Sequence, residues 1–167
     1  MAKLPRLSKK KDDDPFAPER GPLLTVRFAI ALLLIVAGIA WILYYYFGVR
    51  PEGGFGALND QGKPVQPGGP SFIADLEGKN YLIGFVLLFL GLAVSAHPST
   101  PLGRGRGVVV GMLGCFLIGL LWICIFYIFL TGKDPDYIAV FTDLGQKNLF
   151  VGIAFMAVGF TFATRWE

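Results

Sequence analysis

The chain has 167 residues, of which 54% are hydrophobic and 16% charged, and its mean hydropathy is +0.58. These values exclude an ordinary soluble domain, because the charges are confined to the first 27 residues, the connections and the last few positions. The net charge of only +3 argues against a general nucleic-acid-binding surface. The composition therefore predicts a small integral membrane protein.

Residues 1–27 form a predicted cytoplasmic tail that is disordered by composition. Within it, Lys9, Lys10 and Lys11 directly precede three aspartates, among several prolines. This basic block fits three roles: it sets the membrane topology, it rests on anionic membrane lipid, or it docks onto a cytoplasmic protein. The sequence leaves these three roles open.

Four apolar runs follow the tail. The runs Phe28–Val49 and Val108–Leu130 have 22 and 23 residues without a charge, and about 20 residues are enough to cross the hydrocarbon core of a bilayer. The runs Tyr81–Ala96 and Leu149–Thr164 have only 16 residues each, but each follows a Lys-Asn pair. Because a lysine stem can reach the interface, we predict four transmembrane helices, with re-entrant or buried segments as the alternative for the short runs.

The positive charges are distributed unequally between the two sides of the predicted bundle. The tail, the loop at 97–107 and the C-terminal end carry ten Lys and Arg, whereas the other connections carry five. Because cytoplasmic segments are enriched in Lys and Arg, both termini are predicted to lie in the cytoplasm. Arg165 and Trp166 are then predicted to anchor the C-terminal end at the inner interface of the plasma membrane.

The strongest signal in the sequence is an internal repeat. The segment Asp75–Gly84, DLEGKNYLIG, matches Asp143–Gly152, DLGQKNLFVG, at a shift of 68 residues. The preceding apolar runs also match, because Gly38–Ile42, GIAWI, corresponds to Gly119–Ile123, GLLWI, at a shift of 81. The two shifts differ because the first external loop is longer.

The repeat divides the membrane region into two helical hairpins, residues 28–99 and 100–167. The first hairpin contains the long external loop, which is rich in Gly and Pro and shows no helix or strand periodicity. Because each copy begins and ends on the cytoplasmic side, the copies run in parallel and a pseudo-twofold axis along the membrane normal is expected. The predicted fold is an all-α membrane protein with four transmembrane helices as two parallel-repeated hairpins.

Small residues and tryptophans recur at matching positions of the two copies. In each second helix two glycines lie seven residues apart, on nearly the same face, and such a face lets another helix approach closely. In each first helix a glycine precedes a tryptophan by three residues, so that the ring could fill the gap beside a glycine seam. Two interpretations remain open, packing inside the four-helix bundle and contact with a partner protein. The residues concerned are Gly38, Trp41, Gly84, Gly91, Gly119, Trp122, Gly152 and Gly159.

The sequence contains no recognisable catalytic, metal or cofactor site. The one histidine, His97, has no Cys or carboxylate neighbours that would suggest a metal site. No Ser-His-Asp or Cys-His set can be assembled, and the glycine-rich segment Gly103–Gly107 lacks the spacing of a nucleotide-binding loop. The chain is therefore not expected to be an enzyme or to bind a cofactor. The absence of charge inside the apolar runs also argues against a transporter, which stays the weakest alternative.

The closing stretch Lys147–Trp166, KNLFVGIAFMAVGFTFATRW, together with a tryptophan-bearing first helix, resembles the CrgA family of actinobacterial cell-division membrane proteins, the septation inhibitors. Members of this family are small two-span proteins with both termini inside, a basic N-terminal tail and a C-terminal Thr-Arg-Trp, which here is Thr164-Arg165-Trp166. The second copy matches the family pattern better than the first, and the chain as a whole looks like a tandem duplication of the two-span unit.

The resemblance implies a non-enzymatic role in coordinating or restraining septum formation. It implies contacts with the division GTPase FtsZ and with the septal peptidoglycan synthases, in addition to membrane lipids, and a septal location. Self-association into a homo-oligomer is left open. The alternative function is an accessory subunit of another large membrane complex, such as a respiratory supercomplex, because small four-span proteins without catalytic groups suit that role as well.

Overall fold

The structure is a computed structural model, and it describes residues 24–130 and 138–164 of the chain. Within these two ranges the regular structure is helical, apart from an isolated antiparallel bridge between Leu58 and Pro64. The prediction of an all-helical fold is thus confirmed for the part of the chain that the structure describes.

Six α-helices occur in the described residues, two of them short. They are α1 (Val26–Gly48), α2 (Ser71–Ala74), α3 (Lys79–Ser95), α4 (Arg106–Cys124), α5 (Ala139–Leu144) and α6 (Lys147–Ala163). Helix α4 continues as a π-helical segment, Ile125–Leu130. Helix α1, and α4 together with its π-helical segment, are long and apolar enough to cross a membrane. Helices α3 and α6 are apolar but shorter, with 17 residues each.

All four long helices begin about two residues before the charge-free runs from which they were predicted. In α1 the reason is the N-cap, because the Thr25 hydroxyl accepts a hydrogen bond of 3.2 Å from the amide of Phe28. The helix therefore begins at Val26 and includes Arg27. A search for charge-free residues locates the apolar part of a helix, but the backbone hydrogen bonds continue through the polar residues at its ends.

The helices pack as two hairpins that meet at the centre of the molecule. Helix α1 packs along α3, and α4 packs along α6, while α3 also contacts α6. The rings of Phe89 on α3 and Phe155 on α6 meet edge to face with their centroids 4.9 Å apart. This central contact joins the hairpins, and α1 and α4 flank it.

Two clusters of buried side chains lie along the bundle, and both draw on the two hairpins. The larger one contains Tyr45, Val49, Ile73, Ala74, Tyr81, Phe85, Leu144, Val151 and Phe155. The smaller one contains Ala96, Val108, Cys115, Val158 and Phe162. Because each cluster combines residues of both hairpins, the hairpins form one packed unit.

The long loop after α1 folds back onto the end of that helix. The amide of Gly68 donates a hydrogen bond of 3.0 Å to the carbonyl oxygen of Val49. Phe55 stacks on Tyr45 with a centroid distance of 6.4 Å. These contacts hold Arg50, the first loop residue with a charge, beside the second hairpin.

Candidate functional site

The glycines singled out in the sequence lie where the two helices of each hairpin are in close contact. A Cβ atom added to Gly38 would lie 2.6 Å from the carbonyl oxygen of Gly84. At the equivalent position of the second hairpin, a Cβ atom added to Gly119 would lie 2.6 Å from the carbonyl oxygen of Gly152. Neither contact leaves room for a side chain, so each glycine pair sets the helix spacing of its hairpin.

The second glycine of each pair in α3 and α6, Gly91 or Gly159, also faces the other helix of its own hairpin. The distance to that helix differs between the two hairpins. A Cβ atom on Gly91 would lie 2.8 Å from the carbonyl oxygen of Ala31. A Cβ atom on Gly159 would lie 3.3 Å from the carbonyl oxygen of Met112 and 3.3 Å from the ring of Phe116. The larger side chains keep α4 farther from α6 at this level. All four seam glycines thus contact the neighbouring helix of their own hairpin.

A buried asparagine is the second residue of each of the two central helices. Asn80 and Asn148 are both 0% exposed. The side-chain amide of each donates two hydrogen bonds to the backbone carbonyls seven and three positions earlier, at 2.8 and 2.9 Å for Asn80 and at 2.6 and 2.8 Å for Asn148. Each asparagine therefore ties the short helix before it to its own helix. The sequence already showed the match of the two asparagines, but the prediction used only the lysines beside them.

The tryptophans of the two hairpins differ in their hydrogen bonding. The indole nitrogen of Trp122 donates to Oδ1 of Asn148 at 3.1 Å. In the first hairpin, the equivalent atoms are Nε1 of Trp41 and Oδ1 of Asn80, and both are buried without a hydrogen-bond partner in the described ranges. The Tyr45 hydroxyl is a third buried atom without such a partner there. Buried polar atoms left in this state cost free energy.

A polar bridge joins the two hairpins at the end of the bundle that bears the long loop. Arg50 donates two hydrogen bonds to Asp143, from Nε to Oδ2 at 2.6 Å and from a terminal nitrogen to Oδ1 at 3.1 Å. The Tyr81 hydroxyl donates to the same Oδ2 at 3.1 Å. The side chains of Arg50 and Asp143 are only 8% and 17% exposed, and two-point arginine–carboxylate contacts are among the strong ones in proteins.

This bridge was not predicted from the sequence. Arg50 and Asp143 lie 93 residues apart, and the charge count only predicted that both lie on the same side of a membrane. The one available signal was the repeat, in which Asp143 matches Asp75. Repetition does not reveal that Asp143 pairs across the hairpins whereas Asp75 is exposed.

At the opposite end, contacts close the first hairpin. A terminal nitrogen of Arg27 donates to Nε2 of His97 at 2.8 Å. The Thr25 hydroxyl donates to the carbonyl oxygen of Ser99 at 3.2 Å. The histidine thus holds the start of α1 to the turn that follows α3.

Some predicted residues fall outside the described residues, namely Lys9, Lys10, Lys11, Arg165 and Trp166. In the ranges that the structure covers, no group of three or more His, Cys, Asp and Glu is placed to hold a metal ion. Both cysteines are free, with Cys115 buried and Cys124 partly buried.

Comparison with known proteins points to one family. The family model described as cell division protein CrgA matches residues 100–167. The cell division protein CrgA of Streptomyces avermitilis is 39% identical over 66 residues, which cover 40% of this chain and 71% of that protein. No solved structure matches the chain. The family match covers the whole second hairpin.

Proposed function

The chain belongs to the CrgA family of cell division proteins, and we propose that it is a non-enzymatic membrane scaffold that coordinates or restrains septum formation. The observation that carries this proposal is the extent of the match, which runs over the complete second hairpin from residue 100 to residue 167. Within that hairpin, α4 and α6 share a glycine contact and the Trp122–Asn148 hydrogen bond.

The scaffold has four membrane spans and both termini in the cytoplasm. Helices α3 and α6 have 17 residues each, or about 25 Å at 1.5 Å per residue, slightly less than the hydrocarbon core of roughly 30 Å. Lys79 and Lys147 stand at their first positions and are exposed, so their side chains extend to the interface and offset the mismatch. The ten-to-five distribution of Lys and Arg supports the orientation.

The two hairpins arose from one duplicated two-span unit. In support of this, the Gly38–Gly84 contact recurs as Gly119–Gly152, and the two asparagine clamps have the same spacing. A fused pair does in one chain what a dimer of two-span proteins does with two. The Arg50–Asp143 bridge then fixes the orientation of the copies relative to each other.

The partners are FtsZ on the cytoplasmic side and the septal peptidoglycan synthases in the membrane. Contact with FtsZ belongs to the tail that carries Lys9, Lys10 and Lys11, because these residues form the longest basic block of the chain. Contact with the synthases belongs to the outer faces of α1 and α4, since the glycine seams are occupied within the hairpins. Large apolar side chains such as Leu33 and Val110, each 66% exposed, lie on those faces.

The proposal is tested by affinity purification of the tagged full chain from mildly cross-linked native membranes, followed by mass spectrometry. We expect enrichment of FtsZ and of septal wall synthases. A chain with Lys9, Lys10 and Lys11 changed to Gln should lose FtsZ and retain the synthases, which separates the two contacts. Enrichment of respiratory subunits, with neither FtsZ nor the synthases above background, would overturn the proposal.

A further inference from the structure

A groove with a volume of about 430 Å³ opens between α3 and α6, on one face of the central helix pair. Its floor is formed by the buried side chains of Phe85, Leu144 and Val151. Its walls are apolar and exposed, with Leu82 64% and Phe150 71% accessible. The proposed function does not use this groove.

Two lysines stand at one end of the groove. Lys79 and Lys147 both line it, and both are exposed. They occupy equivalent positions of the repeat, each as the first residue of its helix. The side-chain ammonium group of neither lysine makes a hydrogen bond or ion pair with any of the described residues. Because α3 and α6 run parallel, the positive ends of both helix dipoles also lie at this end.

The neighbouring carboxylates leave this positive charge largely uncompensated. Asp143 is already held by Arg50 and Tyr81. Glu77 is exposed and precedes the groove, but it does not line it. An anion at the groove entrance would thus meet two unpaired ammonium groups, close to the level at which the apolar walls begin.

The length of the groove matches one leaflet of a bilayer. Its lining on α3 runs from Lys79 to Phe89, which corresponds to about 15 Å of helix at 1.5 Å per residue. The hydrocarbon core is roughly 30 Å thick, so one leaflet supplies about half of that. A ligand with an anionic head at the interface and an apolar chain of one-leaflet length therefore fits both the charge and the shape.

We propose that the groove between α3 and α6 is a binding site for one anionic phospholipid, with its phosphate between Lys79 and Lys147 and one acyl chain against Phe85 and Val151. The lipid contacts both hairpins. It therefore adds to the central contact and to the Arg50–Asp143 bridge in holding the hairpins together. A lipid that merely surrounds the protein would not require both lysines.

The test is native mass spectrometry of the full chain in detergent micelles, titrated with phosphatidylglycerol or with phosphatidylcholine of the same acyl chains. We expect one phosphatidylglycerol per chain to be retained at concentrations at which phosphatidylcholine is not. The electrostatic attraction between one lysine and an anionic lipid changes the lipid affinity by roughly fivefold. Because the variant Lys79→Gln/Lys147→Gln loses two such lysines, it should bind phosphatidylglycerol about thirtyfold more weakly.

Two further variants separate charge from shape. The control Lys63→Gln/Arg106→Gln also removes two exposed positive charges, but away from the groove, and it should retain the lipid like the unchanged chain. Ala154→Trp fills the groove while keeping both lysines, and it should lower retention. Equal retention of the two lipids by the unchanged chain, or unchanged phosphatidylglycerol affinity in the double-lysine variant, would overturn the proposal.

Discussion

The first and second hairpins place a tryptophan and an asparagine at equivalent positions of their packed helices. In the second hairpin the two side chains bond to each other, from Trp122 Nε1 to Asn148 Oδ1 at 3.1 Å. In the first hairpin the corresponding atoms of Trp41 and Asn80 are buried without a hydrogen-bond partner in the described ranges. The same residues at the same repeat positions therefore give one complete and one incomplete polar contact.

The difference shows how the two copies divide their roles. The second hairpin completes its internal contacts and is the part that the CrgA family model matches. The first hairpin instead contributes Arg50 and Tyr81 to a contact with Asp143 of the second. The second hairpin thus satisfies its tryptophan–asparagine pair internally, whereas the first does not, and the bridge to Asp143 links the two copies.

The largest loss of stability is expected when a glycine at the close helix contact is replaced by a larger residue. This contact occurs in both hairpins, so the change tests a feature that they have in common. Gly84→Leu and Gly152→Leu should each destabilise the fold by more than about 3 kcal/mol, beyond the usual range for overpacking, because the opposing atoms include backbone that cannot move aside. Detergent-induced unfolding in micelles measures the loss. Gly114→Leu is the control, since no atom lies within 4 Å of a Cβ placed there, and it should change stability little. Similar stabilities for all three variants would contradict the assignment of the seams.

The second-largest loss of stability is expected when the Arg50–Asp143 bridge between the hairpins is removed. Asp143→Asn should destabilise the fold by about 2–3 kcal/mol, because it removes the negative charge that accepts two hydrogen bonds from the largely buried Arg50 side chain. The matched control is Asp75→Asn, which removes the repeat-equivalent carboxylate at an exposed position and should change stability by less than about 0.5 kcal/mol. Unfolding curves of the two variants under identical conditions decide the point. Equal losses would mean that Asp143 has no special role.

A smaller effect tests the tryptophans directly. Trp122→Phe should cost about 1–2 kcal/mol more than Trp41→Phe, because only the first of these changes leaves a bonded, buried asparagine oxygen without its donor. Both changes remove the same ring atoms, so the loss of packing is largely matched. The difference between the two unfolding free energies is the quantity to measure. A larger loss in Trp41→Phe would show that the first hairpin makes a hydrogen bond of its own.

The smallest effect concerns the turn before each central helix. Glu77 has φ +46° and the equivalent Gly145 has φ +49°, a conformation that costs a residue with a side chain about 1 kcal/mol or more. Glu77→Gly should therefore stabilise the first hairpin by up to about 1 kcal/mol, and Gly145→Glu should destabilise the second by a similar amount. The melting temperature should therefore rise in Glu77→Gly and fall in Gly145→Glu. A destabilised Glu77→Gly variant would show that the glutamate side chain contributes a contact.

Much of the fold was accessible from sequence because apolar length and repetition are local signals. The apolar runs placed the starts of the four long helices to within about two residues, and the repeat identified glycines that lie at close contacts between helices. The short helices α2 and α5 and the π-helical form of the end of the second long apolar run were not predicted. The two short helices are too brief to show a periodicity, and hydropathy does not distinguish a π-helical from an α-helical segment.

The candidate site was harder to predict, because its contacts join distant parts of the chain. The Arg50–Asp143 pair has no counterpart at the repeat position of Asp75, so repetition could not indicate it. For the glycine seams the sequence left two interpretations open, packing inside the bundle and contact with a partner protein. Only the position of the neighbouring backbone shows which helix each glycine contacts. Patterns of charged and small residues indicate which face of a helix makes a contact. Which residues lie against that face depends on how the helices pack in three dimensions.

The most direct test of the two-hairpin account is site-specific cross-linking in native membranes. In a chain with Cys115 and Cys124 changed to Ala, cysteines at Phe89 and Phe155 should react with a short bis-maleimide within one chain, because the two rings meet at 4.9 Å across α3 and α6. Cysteines at Ile39 and Ile118, which are 44% and 48% exposed on the flanking helices, should not. An intramolecular product from the first pair alone would support the account. A product only between different chains, or none, would show that the hairpins do not pack on each other and would contradict it.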